Sequence, residues 1–156
     1  MSTPPASGDG VTAERAHARS VPDVAERLGI MPGMIVQELG WDDDVDPELR
    51  DAIEARTGEE MVDEDSDEVV DVVLLWYRYD DGDLVDTLVD AIAPLADSGF
   101  IWLLTPKRGR PGYVEPSEIA EAAPTAGLSQ TSMASIGPDW AGARLASRRS
   151  RPAERR

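Results

Sequence analysis

The sequence of 156 residues contains no cysteine, one histidine and one lysine. Without cysteine, disulfide bonds, thiolate metal sites and cysteine nucleophiles are excluded. His17 lies in a segment rich in Pro, Gly, Ser and Ala, so the folded part lacks an imidazole for a Ser-His-Asp relay, a zinc site or acid–base catalysis. Lys107 does not follow the Gly-x-x-x-x-Gly spacing of a phosphate loop. The commonest hydrolase chemistries are therefore excluded.

Long apolar runs are also missing. No stretch reaches the length of a membrane span, and residues 1–19 lack the apolar centre of a signal peptide. The sequence therefore predicts a cytoplasmic protein without membrane contact. Its composition further predicts a disordered leader over residues 1–19, a single α/β domain over residues 20–147 and a basic mobile tail over residues 148–156.

The net charge of −16 is distributed unevenly. Between Glu38 and Asp97 the only cations are Arg50, Arg56 and Arg78, whereas the end of the chain is almost purely basic. An acidic surface repels phosphate groups, so we expect the folded domain not to bind nucleic acid. The acidic residues either serve solubility alone or form a surface for a basic partner, which could be the basic tail of the same chain.

A strand, an amphipathic helix and a second strand are predicted between residues 68 and 107. Val69–Tyr77, apart from Asp71, and Phe100–Leu104 are apolar runs without alternation, as is typical of parallel strands buried on both faces. A parallel pair needs a crossover helix, and the segment between the runs supplies an apolar stripe. The residues of this stripe are Leu84, Val85, Leu88, Val89, Ile92 and Leu95.

Caps, turns and prolines delimit the remaining elements. In chain order they are a helix from Pro22 to Gly29, a strand from Met34 to Leu39, a helix from Pro47 to Gly58 capped by Asp46, a short strand or loop anchor at Met61 and Val62, a helix from Pro116 to Gly127, and a hairpin about Gly137, Pro138 and Asp139. Pro94 and Pro124 lie late in their helices, so both helices should end or kink there.

Together these elements predict a three-layer Rossmann-like α/β fold with a mostly parallel sheet and an antiparallel C-terminal hairpin. The order is similar to that of Rossmann-like methyltransferases, which bind S-adenosylmethionine on a Gly-rich loop after the first strand. The corresponding segment here, Glu38 to Asp44, keeps Gly40 but has Trp41 and three acids in the remaining places. This departure argues against a bound cofactor.

A second resemblance concerns the amino-acid sequence of particular segments rather than the order of the elements. Leu28 to Asp46 and Val69 to Thr131 resemble a family of small actinobacterial proteins, domain of unknown function 3052 (DUF3052). The match is specific at Gly40-Trp41-Asp42, Leu103 to Lys107 and Glu115 to Leu128. The resemblance implies the fold and brings no catalytic residues.

Asp42, Asp43, Asp44 and Asp46 form an acidic cluster after the first strand. Hard cations prefer several oxygen ligands, and open α/β sheets place ligands at this edge. However, the cluster lacks the alternating spacing and the final Glu of a calcium loop. We therefore interpret these residues as a solvated loop and a helix cap, and predict no metal site.

Strand ends supply a candidate ligand crevice. If the sheet has one, Gly40, Trp41, Asp42, Arg78 and Lys107 should line it, and an aromatic wall with two cations would suit an anionic or adenine-bearing small molecule. The alternative is structural: two tryptophans in the core, two over the sheet ends, and both cations paired with acids. The core pair would be Trp76 and Trp102, and the covering pair Trp41 and Trp140.

Taken together, the sequence predicts a non-catalytic binding or regulatory module whose partner is a basic protein or a small anionic ligand. The alternative is a reduced S-adenosylmethionine-dependent methyltransferase-like enzyme, or a binder of S-adenosylmethionine or nucleotides. A third hypothesis is contact with nucleic acid through the Arg-rich tail, which would weaken with salt. Neither a cofactor nor an oligomeric state follows from the sequence.

Overall fold

The computed structural model describes residues 24–147, which form five strands and three helices after a helical turn at residues 24–27. In chain order the elements are β1 (Val36–Leu39), α1 (Pro47–Thr57), β2 (Val70–Trp76), α2 (Leu84–Ile92), β3 (Leu95–Pro106), α3 (Pro116–Thr125), β4 (Leu128–Ile136) and β5 (Trp140–Ser147). The predicted leader and tail, and the predicted helix start at Pro22, lie outside the described residues.

The five strands form one mixed sheet in the order β1-β2-β3-β5-β4. β1, β2 and β3 are mutually parallel, with Val73 opposite Ile101 and Leu75 opposite Leu103. The predicted parallel pair joined by a helix is therefore confirmed. β5 runs antiparallel to both β3 and β4, so β4 at the sheet edge points in the same direction as the first three strands.

Alternate residues of β2 enter two apolar clusters. Val73 and Leu75 pack with α2 and α3, whereas Val72, Leu74 and Trp76 pack with α1 and the turn at residues 24–27. Both sets are almost fully buried, as the continuous apolar run predicted. Burial of each such side chain contributes roughly 1.5–3 kcal/mol to the free energy of folding.

Short polar signals set the limits of α1. Asp46 Oδ1 accepts hydrogen bonds from the backbone N–H groups of Glu48 at 2.9 Å and Leu49 at 3.2 Å. Gly58 ends the helix at a φ of 86°, a conformation that glycine adopts at little cost. The predicted cap, helix and stop are confirmed. α2 has an equivalent cap, Asp83, which the sequence analysis did not single out.

α2 ends close to Pro94, as predicted, but the assignment of Leu95 to its apolar stripe is wrong. The helix stops at Ile92, and Leu95 belongs to β3, where it pairs with Val70. The backbone carbonyl of Pro94 accepts a hydrogen bond from Val70 N–H at 2.9 Å. The sheet therefore recruits the chain immediately after the residue that cannot continue a helix. Val89, expected in the buried stripe, is 49% exposed.

The other limits differ by smaller amounts. α3 continues one residue past Pro124 and ends at Thr125. For Met61 and Val62 the sequence predicts a short strand or a loop anchor, and the structure shows Val62 in a single parallel bridge with Gln37 at the outer edge of β1. None of the helices within residues 24–147 has the length and apolar character that a bilayer crossing requires.

Candidate functional site

A cleft of about 410 Å³ lies at the carboxyl ends of β1 and β2. Gly40, Trp41 and Asp42 follow β1, Arg78 follows β2, and α2 contributes its outward face to the wall. Four of the five predicted crevice residues are thus brought together. The position agrees with the general rule that open α/β sheets hold ligands outside the carboxyl ends of their strands.

Gly40 allows β1 to end directly against β2. Its φ is 79°, and a Cβ atom at this position would lie 2.2 Å from the backbone oxygen of Trp76. The N–H of Gly40 donates to Glu64 Oε2 at 2.9 Å. The glycine thus serves close packing of the chain against itself, and its N–H is already bonded within the protein.

Arg78 ties together the loops at this edge of the sheet. Its Nε and Nη2 atoms donate to the two carboxylate oxygens of Asp44 at 3.0 and 2.5 Å. Its Nη1 atom donates to Gly40 O at 2.8 Å, Trp76 O at 3.3 Å and Asp81 Oδ2 at 3.2 Å. All three guanidinium nitrogens are therefore engaged by the protein, and the side chain is only 14% exposed.

This network changes the ionisation of its members. The hydrogen bond from Arg78 lowers the pKa of Asp44 below its ordinary value, against the opposing effect of partial burial. Burial alone would lower the pKa of Arg78, but hydrogen bonds to Asp44 and Asp81 outweigh it and raise that pKa. Both groups are therefore fixed in their charged forms.

The remaining polar lining is acidic. Asp42, Glu64, Asp81 and Asp90 are all exposed at the cleft, and Arg78 is its single cationic residue within the described part of the chain. Trp41 projects beside them and is 54% exposed. A field of this sign favours cations and disfavours phosphates or carboxylates.

Lys107 does not join the cleft, which corrects the prediction of two converging cations. Its Nζ atom donates to Ser135 Oγ at 2.6 Å and to Gly137 O at 2.9 Å, at the end of β4. Lys107 follows β3, and β3 lies two strands away from β1. Two strand spacings amount to roughly 10 Å, and the side chain turns in the opposite direction.

The tryptophans occupy the places that the structural alternative assigned to them, except Trp41, which is half exposed. Trp76 and Trp102 are 1% exposed and belong to the core. Trp140 is also buried, lies 4.8 Å from Trp76 between ring centroids, and donates from Nε1 to Asp44 O at 3.1 Å. Trp140 therefore supports the loop that carries the acids.

The sequence analysis did not predict a partly buried ion pair between β1 and α1, in which the Glu38 side chain is 8% exposed and the Arg50 side chain 32% exposed. Glu38, in the middle of an otherwise uncharged strand, accepts from Arg50 Nε at 2.7 Å and Nη2 at 2.8 Å, and from Trp76 Nε1 at 2.9 Å. The hydrogen bond to Glu38 raises the pKa of Arg50. The sequence feature that could have predicted this pair is the single acid in a strand that is otherwise uncharged, because a charge is buried only with a partner.

The Asp cluster is distributed among structural roles. Asp44 binds Arg78, Asp46 caps α1, and Asp42 accepts from the N–H of Asp43 at 2.7 Å. Across residues 24–147 no group of three or more acidic or histidine side chains is arranged to hold a metal ion.

Comparison with solved structures defines the class of fold. A methyltransferase from Aquifex aeolicus that depends on S-adenosylmethionine superposes with a TM-score of 0.56 at 13% identity, over 80% of this chain and 88% of that chain. A second such enzyme, from Thiobacillus denitrificans in complex with S-adenosylhomocysteine, gives a TM-score of 0.54 at 12% identity, over 83% and 91% of the two chains. The chain therefore has a methyltransferase-like α/β fold, and at these identities the likeness concerns the fold alone.

The sequence comparison is more specific. Residues 25–149 match the model of a family described as protein of unknown function, DUF3052, and the chain belongs to this family. The uncharacterized protein Rv2239c of Mycobacterium tuberculosis is 57% identical over 131 residues, which is 84% of this chain and 82% of the relative. The uncharacterized protein Mb2263c of Mycobacterium bovis matches equally well. The predicted family membership is confirmed.

Proposed function

We propose that this protein is a non-catalytic binding module, built as a three-layer Rossmann-like domain, whose cleft receives a cationic group of a basic protein partner. The observation that carries the proposal is the engagement of Arg78. Asp44, Asp81 and two backbone oxygens satisfy its guanidinium, so the one cation at the cleft is neutralised from within. A ligand entering the cleft meets carboxylates rather than a free positive charge.

The chemistry of the lining supports an Arg or Lys side chain as the occupant. Asp42 and Asp90 lie at the cleft with exposed carboxylates. The half-exposed indole of Trp41 offers a face to a cation, an arrangement that contributes about 0.5–1 kcal/mol at exposed sites. A guanidinium can bind a carboxylate in two hydrogen bonds and stack on an aromatic ring at the same time.

The same lining argues against catalysis by this cleft. It contains Thr87, Tyr77 and carboxylates, but neither an imidazole nor a thiol, because the sequence has no cysteine and its single histidine is His17. The Tyr77 hydroxyl donates to the backbone carbonyl of Gly82. Thr87 Oγ1 donates to the carbonyl oxygen of Asp83 at 2.8 Å within its own helix. The groups that commonly supply a nucleophile and its base are therefore not paired at this site.

Binding of S-adenosylmethionine is the second candidate, because the fold neighbours include methyltransferases that depend on it and Gly40 follows β1. The use of Gly40 argues against it. In a cofactor loop a glycine leaves room for the ligand, whereas here the open side of Gly40 faces the Trp76 carbonyl. Glu64 also occupies its N–H.

Trp41 provides a direct test. Of the four tryptophans it alone is substantially exposed, so fluorescence changes on adding a ligand report on the cleft. We expect saturable changes, together with a higher Tm, on titration with argininamide and with a tripeptide centred on Arg. AMP and inorganic phosphate should have no effect.

Two variants serve as controls for this titration. In the double variant Asp42→Asn/Asp90→Asn the response to argininamide should fall about ten-fold or more, because the carboxylates that bind the guanidinium are gone. Asp97→Asn, an exposed position on β3 outside the cleft, should leave it unchanged. A response to S-adenosylmethionine instead of argininamide would favour the second candidate, and a response to neither would contradict both.

A further inference from the structure

Within residues 24–147, no segment covers the outer edge of β4 from Ser132 to Ile136. β4 is the last strand of the sheet in that part of the chain and has β5 on one side, whereas β1 at the opposite edge is covered by Val62, which exchanges backbone hydrogen bonds with Val36 and Glu38 at 2.9 Å. Natural edge strands are usually protected by charged residues, proline, bulges or a covering segment. β4 is nine residues long and contains neither a charge nor a proline. Its one irregularity lies between Gln130 and Ser132, so the last five residues remain regular.

An apolar pocket lies beside this edge. It has a volume of about 120 Å³ and is formed by β4, the end of β3 and the start of α3. Its apolar walls include Val114, Pro116, Ile119 and Met133. Met133 projects from β4 and is 61% exposed, which is a large exposure for an apolar side chain on a strand. The volume is suited to a single aliphatic side chain.

Two cations at the pocket have no acidic partner within residues 24–147. Lys107 and Arg108 line the pocket, and neither makes an ion pair in that part of the chain. Lys107 donates to Ser135 and Gly137, and the guanidinium of Arg108 lies 5.5 Å from the centre of the Tyr113 ring. These two cations therefore offer positive charge beside an apolar pocket in a chain whose net charge is −16.

We infer that β4 accepts an extended acidic segment of a protein partner as an added strand. The backbone of that segment would pair with the open edge, an apolar side chain would enter the pocket, and a carboxylate would bind Lys107 or Arg108. This mode of recognition takes affinity from main-chain hydrogen bonds and specificity from the pocket. The site is separate from the cleft at β1 and β2 and has the opposite preference for charge.

Charge also decides between this occupant and a second copy of the chain. A symmetric contact of a second copy through β4 would place its Lys107 and Arg108 near the first pair, so that like charges would meet at the contact. A short acidic segment brings complementary charge only where it is needed. The distant acids of the domain act on it weakly, because charges beyond about 8 Å are screened at physiological salt.

Selection from a display library of random heptapeptides on the full-length protein tests the inference. We expect enrichment of peptides that combine an apolar residue with Asp or Glu. For such a peptide, Arg108→Glu should raise Kd about ten-fold or more, since one attraction becomes a repulsion. Arg27→Glu, the same change at an exposed position outside the pocket, should leave Kd unchanged.

Backbone methylation of the selected peptide tests strand addition itself. Two versions of the peptide are compared, one N-methylated at the odd-numbered residues and one at the even-numbered residues. The version whose methyl groups replace the N–H donors that face β4 should not bind, and the other version should bind normally. The variant Met133→Lys should also prevent binding, with an unchanged urea midpoint showing that it folds. Lack of enrichment, equal binding by the Arg108→Glu variant, or a dimer that Met133→Lys dissociates would each overturn the inference.

Discussion

At the scale of single residues, Gly40 determines the shape of the cleft, and its substitution separates two costs. Gly40→Ala would impose a φ of 79° on an L-residue and place a methyl group 2.2 Å from Trp76 O. Gly33 has a φ of 84° with open space around it, so Gly33→Ala imposes the conformational cost alone. We expect Gly33→Ala to lower the free energy of unfolding by about 1–2 kcal/mol, and Gly40→Ala to lower it by roughly 1–3 kcal/mol more.

Urea unfolding of the two variants measures this difference. Equal losses of stability would show that the β1 end moves away from Trp76 at little cost. In that case the close approach of the two strands would not be what requires glycine at position 40.

Asp44 gives a prediction about pH. Because the hydrogen bond from Arg78 lowers the folded-state pKa of Asp44, its contribution to stability is fully present above the unfolded-state pKa of about 3.9. It is lost as the pH falls through the lower folded-state value. The stability difference between the wild type and Asp44→Asn should therefore be constant above about pH 5 and shrink below about pH 4.

Thermal unfolding between pH 3 and pH 6 measures that difference, with Asp43→Asn as the control at the exposed neighbouring position. Taking differences removes the general relief of acidic repulsion that both proteins experience as carboxylates become protonated. A gap between wild type and Asp44→Asn that widens toward low pH would contradict the ion pair with Arg78.

At the scale of elements, local sequence signals predicted those helices and strands whose positions are determined by local chemistry. Continuous apolar runs predicted β2 and β3 because both faces of each strand are covered. Asp46 before a proline predicted the start of α1. The assignment of Leu95 to α2 was wrong because this residue fits the helical stripe and a buried strand equally well, and only pairing with Val70 decides between them.

The residues of the cleft that follow strand ends could also be predicted from the sequence. Gly40, Trp41, Asp42 and Arg78 follow parallel strands, and the ends of neighbouring parallel strands meet at one edge of the sheet. Lys107 also follows a parallel strand, but β3 lies too far from β1, and the strand order is not encoded in any single segment.

The cleft residues that do not follow a strand end could not be predicted from the sequence. Glu64, Thr87 and Asp90 reach the cleft from a loop and a helix face. Their positions depend on how those segments pack on the sheet, and hydrophobic periodicity does not report such packing for exposed polar residues.

At the scale of the whole molecule, the charge is divided along the chain. Residues 26–97 contain 23 acidic and four basic residues, whereas residues 98–147 contain four of each. The first part forms β1, β2, the cleft and the start of β3, and the second forms the rest of β3, the open edge and its pocket. The strongly acidic part thus carries the cleft that is proposed to bind a cationic group, and the electrically balanced part carries the edge that is proposed to bind an acidic segment.

This imbalance also predicts how stability responds to salt. Repulsion among the acids of residues 26–97 destabilises the compact state, and salt screens repulsion between exposed charges. The exposed ion pair between Arg110 and Asp139 weakens under the same conditions, but surface pairs contribute only about 0–1 kcal/mol each. We therefore expect Tm to rise between 10 mM and 300 mM NaCl, by roughly 2–8 °C for each kcal/mol of repulsion relieved.

A charge-reduced variant separates screening from other effects of salt. Asp65, Asp67 and Glu68 are exposed in the loop before β2. Their replacement by Asn, Asn and Gln removes three negative charges from the acidic residues 26–97. This variant should have a higher Tm than the wild type at 10 mM NaCl and a smaller rise at 300 mM. If the wild type and the variant responded to salt equally, the rise would reflect general strengthening of apolar burial, since screening acts only in proportion to the charge that is present.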